Sequence, residues 1–457
     1  MTPHSQPEAA PAVATSSGAI RGFWQHPGIA TFRGIPYAEA PVGELRFAAP
    51  RPRRRWSGVL EATEYGPTPQ RGDTGITRIP EHSIPGEDTL SVNVTTPALD
   101  PESKLPVIVW IHGGGYVSGS PASPWYDGAA FARDGVVLVT LSYRLGFTGF
   151  GYIEGAVQNR GVLDWICALQ WVRDHIASFG GDPSRVTVAG QSAGGSAVLT
   201  LLGAPAAVGL FHGAYGMSAA VADPSLKKAK HRSGRLARLA GVSPDLAGFS
   251  SLSETRILEL QPKVTSPAPP HLLHDIRELL HDGLMIGPIV DGEIVVSEIE
   301  TAVSQGPSAR APLVLGTTED ELTGLLGRPA DAAHPSVKQR IARHATEAVF
   351  HSWVPRIAAA REASPVAGPT YSYRFSWHPA ESPYAGHCID VPFVFDRLEA
   401  PGVEQVAGAN PPQELADAVH GGLVSFAKTL QPGWAPDTGD GPSRVFDLPV
   451  RDESVFS

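Results

Sequence analysis

Cysteine is almost missing from this sequence: Cys167 and Cys388 are the only two among 457 residues. Two thiols cannot build the disulfide framework of a small secreted protein. They have no metal-ligand spacing either, so no metal is expected and a reducing, cytoplasmic setting fits best. Positive charge is also short, with 36 Lys and Arg against 46 Asp and Glu and a formal net charge of −10. That deficit argues against a nucleic-acid partner, because affinity for phosphates rests on Lys and Arg. The one basic run, Arg51, Arg53, Arg54 and Arg55, reads as a solvated segment. An uninterrupted apolar span is lacking as well. Val186 to Ala222 carries no formal charge, but Gln191, Ser192, Ser196, Pro205, His212 and several glycines break it, so no membrane partner is expected. Residues 1–12 have neither the basic nor the apolar region of a leader and read as a flexible tail.

Glycine (49) and proline (43) are plentiful, and with 42% hydrophobic residues they indicate a globular chain with many turns. Apolar runs at Val107–Ile111, Val136–Leu141, Val186–Ala189 and Pro312–Leu315 have the look of buried parallel strands. Between the second and third, Val162, Ile166, Leu169, Val172 and Ile176 share one face of a helix expected over Asn159–Ser178. Strand, helix, strand in that order implies a parallel sheet with right-handed crossovers. Tyr371, Tyr373 and Phe375 alternate with polar residues, which predicts a half-buried strand before the segment holding His387. The charged stretch Leu226–Arg238 and the Pro-rich Gln261–Pro270 read as helix and loop outside the sheet.

Two glycine-rich segments carry the chemistry. Gly190-Gln191-Ser192-Ala193-Gly194 follows an apolar strand and precedes a helix-like stretch. This is the context of a nucleophile elbow, where small residues on either side of the serine let strand and helix approach. A serine hydroxyl is a weak nucleophile near neutral pH and needs a base, a group that orients the base, and donors for the developing oxyanion. His112-Gly113-Gly114-Gly115 follows the strand Val107–Ile111, and its glycines can turn backbone N–H groups toward a ligand. Gly114, Gly115 and the N–H of Ala193 are therefore candidates for an oxyanion hole.

These segments, with their surroundings, resemble the type-B carboxylesterase family, which includes bacterial esterases, animal carboxylesterases and cholinesterases. The likeness rests on the run Phe179–Gly194, on Phe32–Ala38 with Pro41-Val42-Gly43, Leu45-Arg46-Phe47 and Trp56, and on Ser142–Gly146 and Asp164 with Ala168–Val172. The resemblance implies an α/β-hydrolase fold: a mostly parallel central sheet with helices on both faces and helical insertions over the site. It implies one catalytic domain over 13–457, with cap or lid insertions near 220–300 and 322–385. It also implies a Ser, Glu, His triad. Glu321 holds the family's acid position, although Leu322 follows where the family usually has Gly, so Asp320 and then Glu319 remain alternatives. Ala385–Phe395 resembles the histidine block and makes His387 the base. His112 is expected to brace the oxyanion loop, Gln191 stands where cholinesterases carry Glu, and Ser218 and Asp390 match positions that hydrogen-bond behind the triad in relatives. Thr89 replaces a disulfide cysteine of secreted relatives.

The implied activity is serine-dependent hydrolysis of small neutral carboxylic esters through an acyl-enzyme, without cofactor. Hydrolysis of carbamates, amides or lactones by the same residues is the alternative. Two further readings, a non-catalytic cholinesterase-like binding protein and a hormone-sensitive-lipase-like esterase, are disfavoured by the complete residue set and by the Phe179–Gly194 signature.

Overall fold

Val107, Val109 and Ile111 pack into one hydrophobic core with the helix Arg160–His175, whereas Ile108 and Trp110 enter a second core with the helix Gln413–Thr429. Successive strand residues face opposite sides, so an unbroken apolar run specifies a strand covered on both. The sheet built on this principle has eleven strands. In chain order they are β3 (Phe23–His26), β4 (Ile29–Pro36), β6 (Ser91–Thr96), β7 (Leu105–Ile111), β8 (Val137–Leu141), β9 (Gly181–Gln191), β10 (Gly213–Met217), β11 (Leu313–Thr318), β12 (Thr370–Phe375), β13 (Ser443–Phe446) and β14 (Arg451–Glu453). Across the sheet the order is β14-β13-β12-β11-β10-β9-β7-β8-β6-β4-β3. Pairing is parallel from β13 through β8 and antiparallel at both margins. A small separate sheet joins β1 (Ala12–Ala14), β2 (Ala19–Arg21) and β5 (Val59–Glu61). The computed structural model describes residues 9–72, 78–220, 225–265, 286–323, 337–437 and 442–456.

The mixed sheet with helices on both faces is the expected α/β-hydrolase architecture, with adjusted edges. The strand expected over Val186–Ala189 is longer, Gly181–Gln191, and the helix expected over Asn159–Ser178 is an α-helix to His175 followed by a 3₁₀ turn, Ile176–Phe179. Asn159 has left-handed φ and binds Ile289 through both side-chain atoms, so the helix starts one residue later. The strand at 371–375 is a correction: β12 is buried on both faces. It lies inside the sheet between β11 and β13, so its polar residues find partners there. Ser372 bonds Ser443, and Arg374 faces Glu319 at 3.5 Å.

Of the expected N-terminal tail, residues 1–8 lie outside the described set, while the Ala9 carbonyl accepts from Trp24 Nε1 and β1 begins at Ala12. Between β10 and β11 stand the helices Leu226–Ala240, Leu246–Ser250, Glu254–Thr265 and Ile299–Gln305. Gln261–Thr265 are helical, where a loop is expected, and the rest of that Pro-rich stretch, 266–270, is outside the described residues. Among the described residues no helix is long and apolar enough to cross a membrane. The charge-free stretch from Val186 is instead strand, an eleven-residue helix and another strand. A buried ion pair fastens the loop after β8 to the crossover helix. Arg144 Nη2 and Nε donate to the two oxygens of Asp164 at 2.6 and 2.9 Å, the geometry in which a buried pair offsets its desolvation. The C-terminal ends of the parallel strands β7, β9, β11 and β12 thus open on one edge, where ligand sites of such sheets form.

Candidate active site

Ser192 sits between the last residue of β9 and the first of the helix Ala193–Gly203, with φ 59° and ψ −123°. A side chain at positive φ is strained and persists only where its surroundings dictate it. They do so here. A Cβ on Gly194 would lie 2.0 Å from the Ile111 carbonyl oxygen, and one on Gly190 would lie 2.5 Å from the Gly194 carbonyl oxygen. The Ser192 N–H donates to the Met217 carbonyl at 2.8 Å, and the first amides of a helix have no partner within it.

The loop after β7 faces this elbow. A Cβ on Gly113 would be 3.1 Å from Ser192 Cβ, so the two segments touch. Gly114 (φ 102°) and Gly115 (φ 60°) adopt backbone open mainly to glycine. His112 is fully buried. Its Nδ1–H donates to the Gly113 carbonyl at 2.9 Å, its ring stacks on Tyr143 at 4.6 Å, and the Tyr143 hydroxyl donates to the His112 carbonyl at 3.0 Å. Burial pushes its pKa down to about 4, so the ring is neutral and suited to bracing. Gln70 completes the brace: its Oε1 accepts from Gly119 N–H at 2.6 Å while its Nε2 donates to the Glu81 carbonyl at 3.0 Å. No local pattern in the sequence singles out Gln70.

Glu321 follows β11 in a turn and is 1% exposed. Its Oε1 accepts from the Thr318 N–H at 2.9 Å, and its Oε2 accepts from His387 Nδ1. The other two acids of the run point elsewhere. Asp320 Oδ2 accepts from Ala385 N–H at 3.2 Å, so it ties down the histidine loop, and exposed Glu319 accepts from Ser376 Oγ at 3.1 Å. Burial works against charge on Glu321, but His387, the Ser218 hydroxyl and the Thr318 amide hold its pKa below the ordinary carboxyl value. Burial likewise opposes charge on His387, yet the adjacent Cys388 sulfur and Glu321 raise its pKa well above the ordinary imidazole value.

In the neutral imidazole, with Nδ1–H committed to Glu321, His387 Nε2 is an acceptor. Gln191 Nε2 donates to it at 3.2 Å, and Ser192 Oγ makes no direct hydrogen bond to the ring. Ser218, at φ 45°, lies beside the Glu321 carboxylate without strict hydrogen-bond geometry. Asp390 is fully buried, accepts from the Tyr373 hydroxyl at 3.1 Å and leaves Oδ1 without a partner. Burial and the Glu321 charge push its pKa up to about 7. It therefore couples to the acid by charge and not by a hydrogen bond.

Residues 9–349 match the Carboxylesterase family. Para-nitrobenzyl esterase of Bacillus subtilis (strain 168) is 36% identical over 92% of this chain and 90% of its own length. The chain belongs to the carboxylesterase family. Phenmedipham hydrolase of Pseudarthrobacter oxydans is 32% identical, with 92% of this chain and 90% of that one covered. The solved structure of a thermophilic PNB esterase superposes with a TM-score of 0.86 at 30% identity, over 97% of each chain. A carboxylesterase of this fold is a serine-dependent hydrolase of carboxylic esters, and that is the class of this enzyme. His387 lies beyond the matched segment, so its place depends on the fold bringing it to Glu321.

Proposed function

We propose that Ser192 is the nucleophile, His387 the base and Glu321 the orienting acid of this esterase, with the amides of Gly114, Gly115 and Ala193 as oxyanion donors. One observation carries this reading. His387 is bound through Nδ1 to a buried carboxylate and through Nε2 to Gln191, the neighbour of Ser192, so the basic nitrogen points at the elbow. For reaction, the Gln191 amide yields the Nε2 lone pair to Ser192 Oγ–H, a tightening common when substrate enters a resting site. The serine oxygen attacks the ester carbonyl as His387 takes its proton, and the oxyanion is met by backbone N–H groups fixed before the reaction starts. His387 then protonates the leaving alcohol, and water repeats the steps in reverse on the acyl-enzyme. Glu321 keeps the Nδ1–H tautomer and stabilises the imidazolium.

Small neutral esters suit the site, since Gln191 is uncharged and the segment Gly66–Gly86 has no Trp to offer a cation a ring face. The helices between β10 and β11, and those that follow Glu321, are read as the cap over the site, and two free, buried cysteines support a cytoplasmic setting. Ser192→Ala tests the assignment. Ester turnover is expected to fall by about 10⁴-fold or more with an unchanged melting point, and a fluorophosphonate probe to label Ser192 alone. Label on another serine, or wild-type turnover of the variant, would remove Ser192 from the role.

A further inference from the structure

Thr346, Phe350 and His351 come from one short stretch, and between them they touch His387 and the two residues, Thr318 and Leu322, that bracket Glu321. Glu347–His351 is a π-turn between the helices Val337–Thr346 and Trp353–Glu362. Such a turn widens the helix by a residue, is rare, and is frequently found at functional sites. Here the widening lets two consecutive residues serve one place. The Phe350 ring packs on the His387 ring, centroids 5.2 Å apart and planes at 51°, while buried His351 donates from Nε2 to the Thr318 carbonyl at 2.9 Å. Just before the turn, Thr346 Oγ1 accepts from the Leu322 N–H at 3.0 Å.

Thr318 and Leu322 bracket the acid. Thr318 also gives its own N–H, from the preceding peptide, to Glu321 Oε1, so holding Thr318 in place helps hold the carboxylate that His387 needs. The departure at 322, Leu where the family usually has Gly, finds its reason in the same place. The Leu322 side chain is 9% exposed and packs in a cluster with Ala220, Ala345, Val349 and Phe350, which fastens the acid turn to the π-turn. We infer that this π-turn is a positioning clamp: Thr346 and His351 set the Glu321 turn, and Phe350 sets the tilt of the His387 ring. The inference rests on Glu321 and His387 being the acid and the base. None of the three residues is catalytic, since each acts through the pair.

The test compares Thr346→Val, His351→Leu and Phe350→Leu with the conservative Thr346→Ser and His351→Gln, which keep an acceptor and a donor. Melting curves confirm that each variant is folded, and Thr346→Val is close to isosteric if the bulkier changes fail. Thr346→Val and His351→Leu are each expected to lower kcat about tenfold with KM nearly unchanged, and the conservative pair to restore most of it. A loosened carboxylate raises the imidazole pKa less, so the acid limb of kcat/KM is expected to move to lower pH. Of the charged or titratable groups around the pair, Cys388, Asp390, Asp320, Glu319 and Arg374 are untouched by these substitutions, while His351→Leu also frees Glu347 from its 3.3 Å contact with His351 Nδ1, so Thr346→Val gives the cleaner pH readout. In a Glu321→Gln background the same changes are expected to cost less than about twofold further, because the clamp then has nothing to position. An unshifted pH limb, or penalties that multiply undiminished in that background, overturns the clamp. Wild-type turnover by Glu321→Gln itself overturns the triad on which the clamp rests, so the two failures are distinct.

Discussion

Around Ser192 the backbone leaves no room, with a methyl group on Gly194 falling 2.0 Å from the Ile111 carbonyl, whereas a methyl on Gly386, beside His387, meets nothing within 4 Å. The elbow half of the site is held by close approach of β7, β9 and the helix Ala193–Gly203. The acid–histidine half is held by side chains reaching across loops: Asp320 to Ala385, Thr346 to Leu322 and His351 to Thr318. Close approach is all or nothing and demands glycine. A hydrogen-bonded turn can be weakened by degrees, and many residue types can build one.

The glycine pair gives the sharpest contrast and the largest effect. Gly194→Ala forces backbone apart in the middle of the fold and is expected to cost about 3 kcal/mol or more, or to yield no soluble protein. Gly386→Ala is expected to stay within about 1 kcal/mol. Urea unfolding of both variants reads the difference, and similar midpoints would dissolve the contrast.

Within the looser half, Glu321→Gln is expected to lower kcat by about 10³-fold, because an amide at that place no longer fixes the tautomer or stabilises the imidazolium. Asp320→Asn keeps an oxygen that can accept from Ala385 N–H, so its loss is expected to stay below about tenfold. Steady-state kinetics on one uncharged ester decide the matter, and equal losses would move the acid by a residue.

The smallest effect concerns Asp390. Its pKa in the folded chain is about 7 against an ordinary 3.8, so the native state holds a proton that the unfolded chain gives up. Stability from this group is full at low pH and is lost as pH rises through the folded value. Asp390→Asn escapes that loss, and its advantage over the parent is expected to grow by roughly 1–3 kcal/mol from pH 5 to 7 and then level off. Denaturant unfolding at several pH values measures it. A constant advantage would mean that Asp390 is ionised in the native state.

The same division explains what could be read in the sequence. The β9 run, Gly190, Gly194 and the glycines after His112 obey local rules, since sterics act between residues a few positions apart or across adjacent strands. The central strands and the elbow were legible for that reason. The order Ser192, Glu321, His387 came from family likeness, and no spacing rule distinguishes Glu321 from Asp320. What could not be read lies in contacts between distant segments. Gln70 reaches Gly119 and His351 reaches Thr318, and neither stands in a pattern. The alternation at 371–375 misled because a polar residue in an interior strand can be satisfied by the next strand as well as by water. Asp390 was expected to hydrogen-bond behind the triad, but it turns to Tyr373.

Odd and even residues of β7 enter different cores, with Trp110 on one side and Val109 and Ile111 on the other. A strand can err only in whole residues, and a slip of one would exchange the two sets and carry His112 and the glycines about 3.3 Å along the sheet. That is about the length of a hydrogen bond, enough to part the glycine-rich loop from Ser192. The spacing of the site is therefore set in discrete steps, and the sorting of β7 side chains between the two cores, with Trp110 the largest of them, picks the step.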